Sequence, residues 1–68
     1  MKKETIQVEG MTCNHCKQAV EGALNKVDGV AKAEVNLDAN NVTVEYEDSQ
    51  VNLATLKEEI EDQGYDVV

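Results

Sequence analysis

Two cysteines, Cys13 and Cys16, stand three positions apart just before the most helix-like segment of the chain. They belong to the stretch Gly10–Cys16, which reads GMTCNHC and holds every cysteine in the sequence. A Cys-x-x-Cys spacing at a helix N-terminus brings two sulfurs together, and the helix dipole there favours thiolate over thiol. Two adjacent, exposed thiolates make a site either for a soft metal ion or for thiol–disulfide exchange.

The available donors favour copper(I) over zinc. A structural zinc site uses four nitrogen or sulfur ligands, whereas this chain has two cysteines and a single histidine, His15. Copper(I) is soft, and two thiolates can hold it linearly with their sulfurs roughly 4.5 Å apart, if each bond is near the ~2.3 Å of zinc–sulfur. Such a site stays open to an incoming thiolate, so the ion can pass between proteins without being released.

Disulfide exchange is the main alternative chemistry for this pair. Thioredoxin-like proteins have a longer chain and a different order of strands and helices, and their Cys-x-x-Cys lacks the Gly-Met-Thr prefix found here. A redox protein would also show a defined dithiol potential. Two further alternatives stay open: a regulatory metal-sensing domain of a transporter, and two cysteines without a role, although adjacent exposed thiols are an oxidation liability.

Composition and charge restrict the class of protein. With 68 residues, no Trp and no Phe, the chain suits one small domain with a core of Val, Ile, Leu and Ala. No large aromatic-lined pocket is expected, and we predict that the protein is not an enzyme. The net charge of −8 repels nucleic-acid phosphates and anionic membranes. It favours solubility or a partner with a basic patch.

The distribution of apolar residues and cysteines indicates the compartment. No apolar run is long enough for the core of a signal peptide or for a membrane span. Two cysteines without a secretion signal indicate a reducing environment, so we predict a cytoplasmic protein with free thiols and no membrane insertion.

Hydrophobic periodicity predicts the elements that position the cysteines. Alternating polar and apolar residues predict strands at Thr5–Glu9, Val30–Leu37, Val42–Tyr46 and Tyr65–Val68. Apolar residues at helical spacing predict one helix from Cys16 to Val27 and a second that Asn52 caps. The order βαββαβ predicts an α+β, ferredoxin-like sandwich, in which a four-stranded antiparallel sheet carries both helices on one face.

The stretch Gly10–Cys16 resembles the G-M-x-C-x-x-C signature of the heavy-metal-associated domain family. The segments Val8–Met11, Asp28–Val30 and Gly64–Tyr65 also match, so the resemblance covers essentially the whole chain. It is closest to the free-standing bacterial copper chaperones of that family, and it implies a single domain spanning residues 1–68. The start at Met1 and the natural-looking ends favour a separate protein over an excised domain.

This resemblance implies a cytoplasmic copper(I) carrier that delivers its ion to the metal-binding domain of a copper-transporting P-type ATPase. Cys13 and Cys16 correspond to the metal ligands, and Met11 to a residue that packs under the metal loop without binding. Thr12 stands where zinc, cadmium or lead domains often carry Asp, which favours copper. Family members also pair into copper-bridged dimers through this loop, so a homodimer is a second expected partnership.

Side chains beside the cysteines leave alternatives open. His15 either supplies a third ligand or points to solvent; we expect the latter in the monomer. Tyr65, near the site in bacterial relatives, either directs its hydroxyl toward the thiolates or is an ordinary amphipathic residue at a strand start. Lys17 either partly balances the charge of a copper–dithiolate, or aids docking, or is simply solvated.

Overall fold

One antiparallel sheet of four strands carries two helices on one face. The computed structural model describes residues 1–11 and 13–68. In chain order the elements are β1 (Lys2–Glu9), α1 (Asn14–Asn25), β2 (Val30–Asn36), β3 (Asn41–Tyr46), α2 (Leu53–Asp62) and β4 (Asp66–Val67). The strands lie in the order β2-β3-β1-β4, and each neighbouring pair is antiparallel. The predicted α+β, ferredoxin-like sandwich is confirmed.

The core lies between the sheet and the helices and is almost entirely aliphatic. Every second residue of the central strands faces it, which is the pattern of a sheet covered on one side. The fully enclosed side chains come from both layers: Val8, Val20, Leu24, Val42, Val44, Leu56 and Ile60. Among the described residues no polar or charged side chain is buried. None of the described helices is both long and apolar enough to cross a bilayer.

The first strand is longer than its alternation predicts. β1 begins at Lys2 instead of Thr5, because Lys2 and Lys3 lie opposite Tyr46 and Glu45 and extend the ladder with β3. Tertiary pairing therefore overrides the weak strand preference of lysine. The other boundaries differ from the predicted ones by one or two residues, as is usual for element ends.

The connection between α1 and β2 closes the end of the molecule opposite to the cysteines. Gly29 has a φ of +99°, a left-handed conformation that favours glycine. Its carbonyl accepts a hydrogen bond of 2.7 Å from the N–H of Glu47, and a Cβ built on it would lie 2.9 Å from Cβ of Gln50. The loop that carries the cysteines lies at the other end, where β1 ends and α1 begins.

Candidate metal site

The loop that carries the cysteines leaves β1 through a glycine. Gly10 has a φ of +98°, so the chain can turn sharply after the last residue of the strand. Met11 then enters the core with 3% of its surface exposed. The prediction that Met11 occupies a core position is confirmed. Thr12, whose identity favoured copper in the sequence, lies outside the described residues.

Helix α1 begins earlier than the sequence predicted. Cys13 is extended, with φ −152° and ψ 172°, and serves as the N-cap residue. Its carbonyl accepts from the N–H of Lys17 at 3.1 Å. The prediction that Cys16 opens the helix is wrong by two residues, since the helix starts at Asn14 and Cys16 lies within its first turn. Cysteine is not a usual capping residue, so nothing in the sequence marked Cys13 as the cap.

The two sulfurs meet at the positive end of the α1 dipole. Sγ of Cys13 lies 3.5 Å from Sγ of Cys16, and either thiol can donate to the other sulfur. Cys13 is exposed, whereas Cys16 is half-buried and packs against the hydrophobic core. In the first turn of α1, all of which is described, no acidic side chain competes for the helix N-terminus. The predicted convergence of the sulfurs is confirmed.

Tyr65 brings a hydroxyl to the sulfurs from the far end of the chain. Its O–H donates a hydrogen bond to Cys16, which is the largest cause of a raised Tyr65 pKa. Desolvation raises this pKa further, and the negative charges of Cys16 and then Cys13 follow as smaller causes. The phenol is therefore held in its protonated, donating form. Of the two alternatives for Tyr65, the structure selects the one in which the hydroxyl faces the thiolates.

The described residues near the sulfurs include one histidine and one lysine. His15 is exposed in the first turn of α1, and Lys17 is half-buried in the same turn. Within residues 1–11 and 13–68, no three side chains of His, Cys, Asp or Glu come together as metal ligands. The geometry of the described residues thus suits a soft ion that two sulfurs satisfy, and these residues do not supply the four ligands of structural zinc.

Comparison with known proteins identifies the family. The model for the "Heavy-metal-associated domain" matches residues 5–66. The chain belongs to the heavy-metal-associated domain family. It is 59% identical to the "Copper chaperone CopZ" of Staphylococcus aureus (strain bovine RF122 / ET3-1), and the match covers all of both chains.

Two solved structures share this fold closely. A "CopZ metallochaperone" superposes with a TM-score of 0.97 at 57% identity, covering 98% of this chain and 100% of that one. The N-terminal domain of a potential copper-translocating P-type ATPase from Bacillus subtilis, solved in its Cu(I)-loaded state, gives 0.91 at 42% identity. That match covers 96% of this chain and 81% of the other.

The contact of Tyr65 with Gly10 is the part of this heavy-metal-associated domain that sequence analysis missed. A Cβ built on Gly10 would lie 3.4 Å from Cδ1 of Tyr65, so the glycine leaves space for the ring. Gly10 directly follows β1 and Tyr65 directly precedes β4, and the two strands pair at these ends through Glu9 and Asp66. The order of the strands reveals this contact. The positive φ of Gly10 is a local signal as well, since it disfavours any residue with a Cβ at that position.

Proposed function

We propose that this protein is a cytoplasmic copper(I) chaperone, with residues 1–68 forming one heavy-metal-associated domain. It is not an enzyme; its close relatives are named chaperones. The observation that carries the proposal is the pair of sulfurs 3.5 Å apart at a helix N-terminus, one exposed and one held against the core. Cys13 and Cys16 are the proposed ligands of a single copper ion.

The difference in burial between the cysteines supports a simple way of taking up the ion. Linear binding needs sulfurs roughly 4.5 Å apart, which is about 1 Å more than the separation of 3.5 Å found here. Cys13 is exposed at the N-cap and can turn outward, while Cys16 stays packed. The copper–dithiolate carries one negative charge, which the N-terminus of α1 and the hydroxyl of Tyr65 stabilise.

Transfer then follows by ligand exchange between thiolates. An incoming thiol loses its proton and its sulfur binds the ion, giving a three-coordinate intermediate. The bond from copper to the exposed Cys13 breaks first, and the bond to Cys16 breaks after a second incoming sulfur binds. Each departing thiolate takes up a proton, and copper stays in the +1 state throughout, so no oxidant or reductant is needed.

The proposed recipient is the metal-binding domain of a copper-transporting P-type ATPase. Such a domain has the same fold as this chain, as shown by the Bacillus subtilis structure in its Cu(I)-loaded state. Two like folds can present their paired cysteines to one another in the same way. A copper-bridged homodimer formed through this loop is a second proposed state, in which another copy supplies the extra thiolates.

A competition titration tests the copper site. The fully reduced protein is titrated with Cu(I) in the absence of oxygen against a strong Cu(I) chelator, and the titration is repeated with Zn(II). We expect tight uptake of about one copper per chain or per dimer, with weak zinc binding. If the protein fails to compete for copper, the proposal falls, and the reduction potential of the dithiol becomes the quantity to measure.

A transfer experiment tests the mechanism separately. The copper-loaded chain is mixed with a P-type ATPase metal-binding domain in the presence of a chelator that captures only free copper. We expect copper on the acceptor and none on the chelator. The matched control is an acceptor whose two cysteines are changed to serine. Copper that reaches the chelator equally fast with either acceptor would mean release into solution and would contradict ligand exchange.

A further inference from the structure

β2 is an outer strand of the sheet and needs protection from other chains. It pairs with β3 on one side only, and with seven residues it is much longer than β4, the two-residue strand at the opposite edge. The outward N–H and C=O groups of a long outer strand are a template for pairing with another chain. A short strand such as β4 offers little of this template.

A carboxylate from α1 reaches over the middle of that edge. Oε2 of Glu21 accepts a hydrogen bond of 2.8 Å from the backbone N–H of Val35. Because this bond goes to a helix residue and not to β3, the N–H of Val35 points away from the sheet. The N–H of Ala33, two residues earlier in the same strand, points the same way. Glu21 is half-buried against the strand that it covers.

Without that carboxylate, β2 is complementary to itself. An antiparallel pairing centred on Ala33 sets Lys32 of one copy opposite Glu34 of the other, twice over. The side chain of Lys32 is 63% exposed and that of Glu34 is 68% exposed. Within one chain, Nζ of Lys32 lies 3.8 Å from Oε2 of Glu34. Opposite charges that face each other across strands stabilise a pair. The same register uses the outward backbone groups of Ala33, and it sets Val35 opposite Ala31, where β2 is irregular between Val30 and Lys32.

We propose that Glu21 guards the edge of β2 and prevents it from pairing with β2 of a second copy. An approaching strand must displace the half-buried carboxylate from Val35, which breaks its hydrogen bond to the backbone N–H. Removing the partner of a partly buried charge is unfavourable. Glu21 thus closes a surface that would otherwise join two sheets into one of eight strands.

The test measures self-association of three variants by sedimentation equilibrium. The protein is kept metal-free and reduced, so neither copper bridges nor disulfides contribute. We expect Glu21→Ala to shift the average mass toward twice that of the monomer as concentration rises. Glu58→Ala removes the same charge from an exposed position of α2 and should stay monomeric. Adding Lys32→Glu to Glu21→Ala should restore the monomer, since two glutamates then face each other.

The outcomes that overturn the proposal are distinct. If Glu21→Ala has a native circular-dichroism spectrum and stays monomeric at every concentration, Glu21 does not prevent pairing. If the double variant still dimerises, the pairing does not use the proposed register of β2. Should Glu21→Ala fail to fold, amide hydrogen exchange on the unaltered protein decides. We expect the Val35 amide to exchange more slowly than that of Ala33, and equal rates would contradict the bond to Glu21.

Discussion

The two cysteines differ in burial, and this difference separates metal binding from stability. We expect Cys13→Ser and Cys16→Ser each to abolish tight Cu(I) binding, because one thiolate cannot hold the ion linearly. Cys13 is exposed, so its replacement should change the free energy of unfolding by less than about 0.5 kcal/mol. Cys16 packs against the core, and its replacement should cost about 1 kcal/mol. Chelator competition and urea unfolding measure the two effects, and unchanged copper affinity excludes that cysteine as a ligand.

The role of the Tyr65 hydroxyl in copper retention can be tested by a substitution that keeps the aromatic ring. Tyr65→Phe keeps the ring over Gly10 and removes only the O–H that donates to Cys16. We expect slightly weaker retention of Cu(I) in chelator competition, because the dithiolate loses a donor. Tyr46→Phe is the matched control, since Tyr46 is buried at the opposite end of the sheet. Equal affinities in the two variants would show that the Tyr65 hydroxyl plays no part.

The raised pKa of Tyr65 predicts a loss of stability at high pH. The hydrogen bond to Cys16, desolvation and the nearby thiolate charges lift this pKa above its ordinary value of 10.0. Since the pKa is higher in the folded than in the unfolded chain, the stabilisation is complete below about pH 10 and is lost as pH rises through the raised value. An absorbance titration of the phenolate, with Tyr65→Phe subtracted, measures it. Ionisation at or below the ordinary value would contradict the contact.

At the scale of the elements, replacing either of two glycines by alanine should change the free energy of unfolding in opposite directions. Gly22 lies inside α1, where an added Cβ meets nothing within 4 Å, so Gly22→Ala should stabilise the protein by about 0.5–1 kcal/mol. Gly29 has a φ of +99° and no room beside Gln50, so Gly29→Ala should destabilise it by about 1–3 kcal/mol. Urea midpoints of the two variants measure the difference. A destabilised Gly22→Ala would contradict the open space found beside Gly22.

Sequence patterns predicted those elements whose signals are local. The cap of α2 is an example: Asn52 is a preferred capping residue, and its side chain accepts from the N–H of Thr55 at 2.8 Å. The start of α1 was missed because its cap, Cys13, makes no side-chain capping bond among the described residues. The bond of Glu21 to Val35 was missed as well, because it depends on which strand lies at the edge, and hydrophobic alternation carries no information about strand order.

The whole molecule combines a site at one end with a small aliphatic core that holds its elements in place. A domain of this size rarely gains more than about 3–5 kcal/mol from its core. The loop, the first turn of α1 and Tyr65 are brought together only when the sheet is formed, since β1 must pair with β4. Any loss of core packing should therefore disturb the geometry of the sulfurs.

Truncating one enclosed leucine should therefore unfold a large part of the population. Leu56 of α2 is fully buried, and Leu56→Ala should cost about 2–5 kcal/mol, comparable to the whole stability expected. Leu53 lies one turn earlier in the same helix but is only half-buried, so Leu53→Ala removes the same atoms and should cost about half as much or less. Urea unfolding followed by circular dichroism measures both. Equal losses would contradict the idea that burial against the sheet sets the cost of truncation, because alanine favours the helix at both positions.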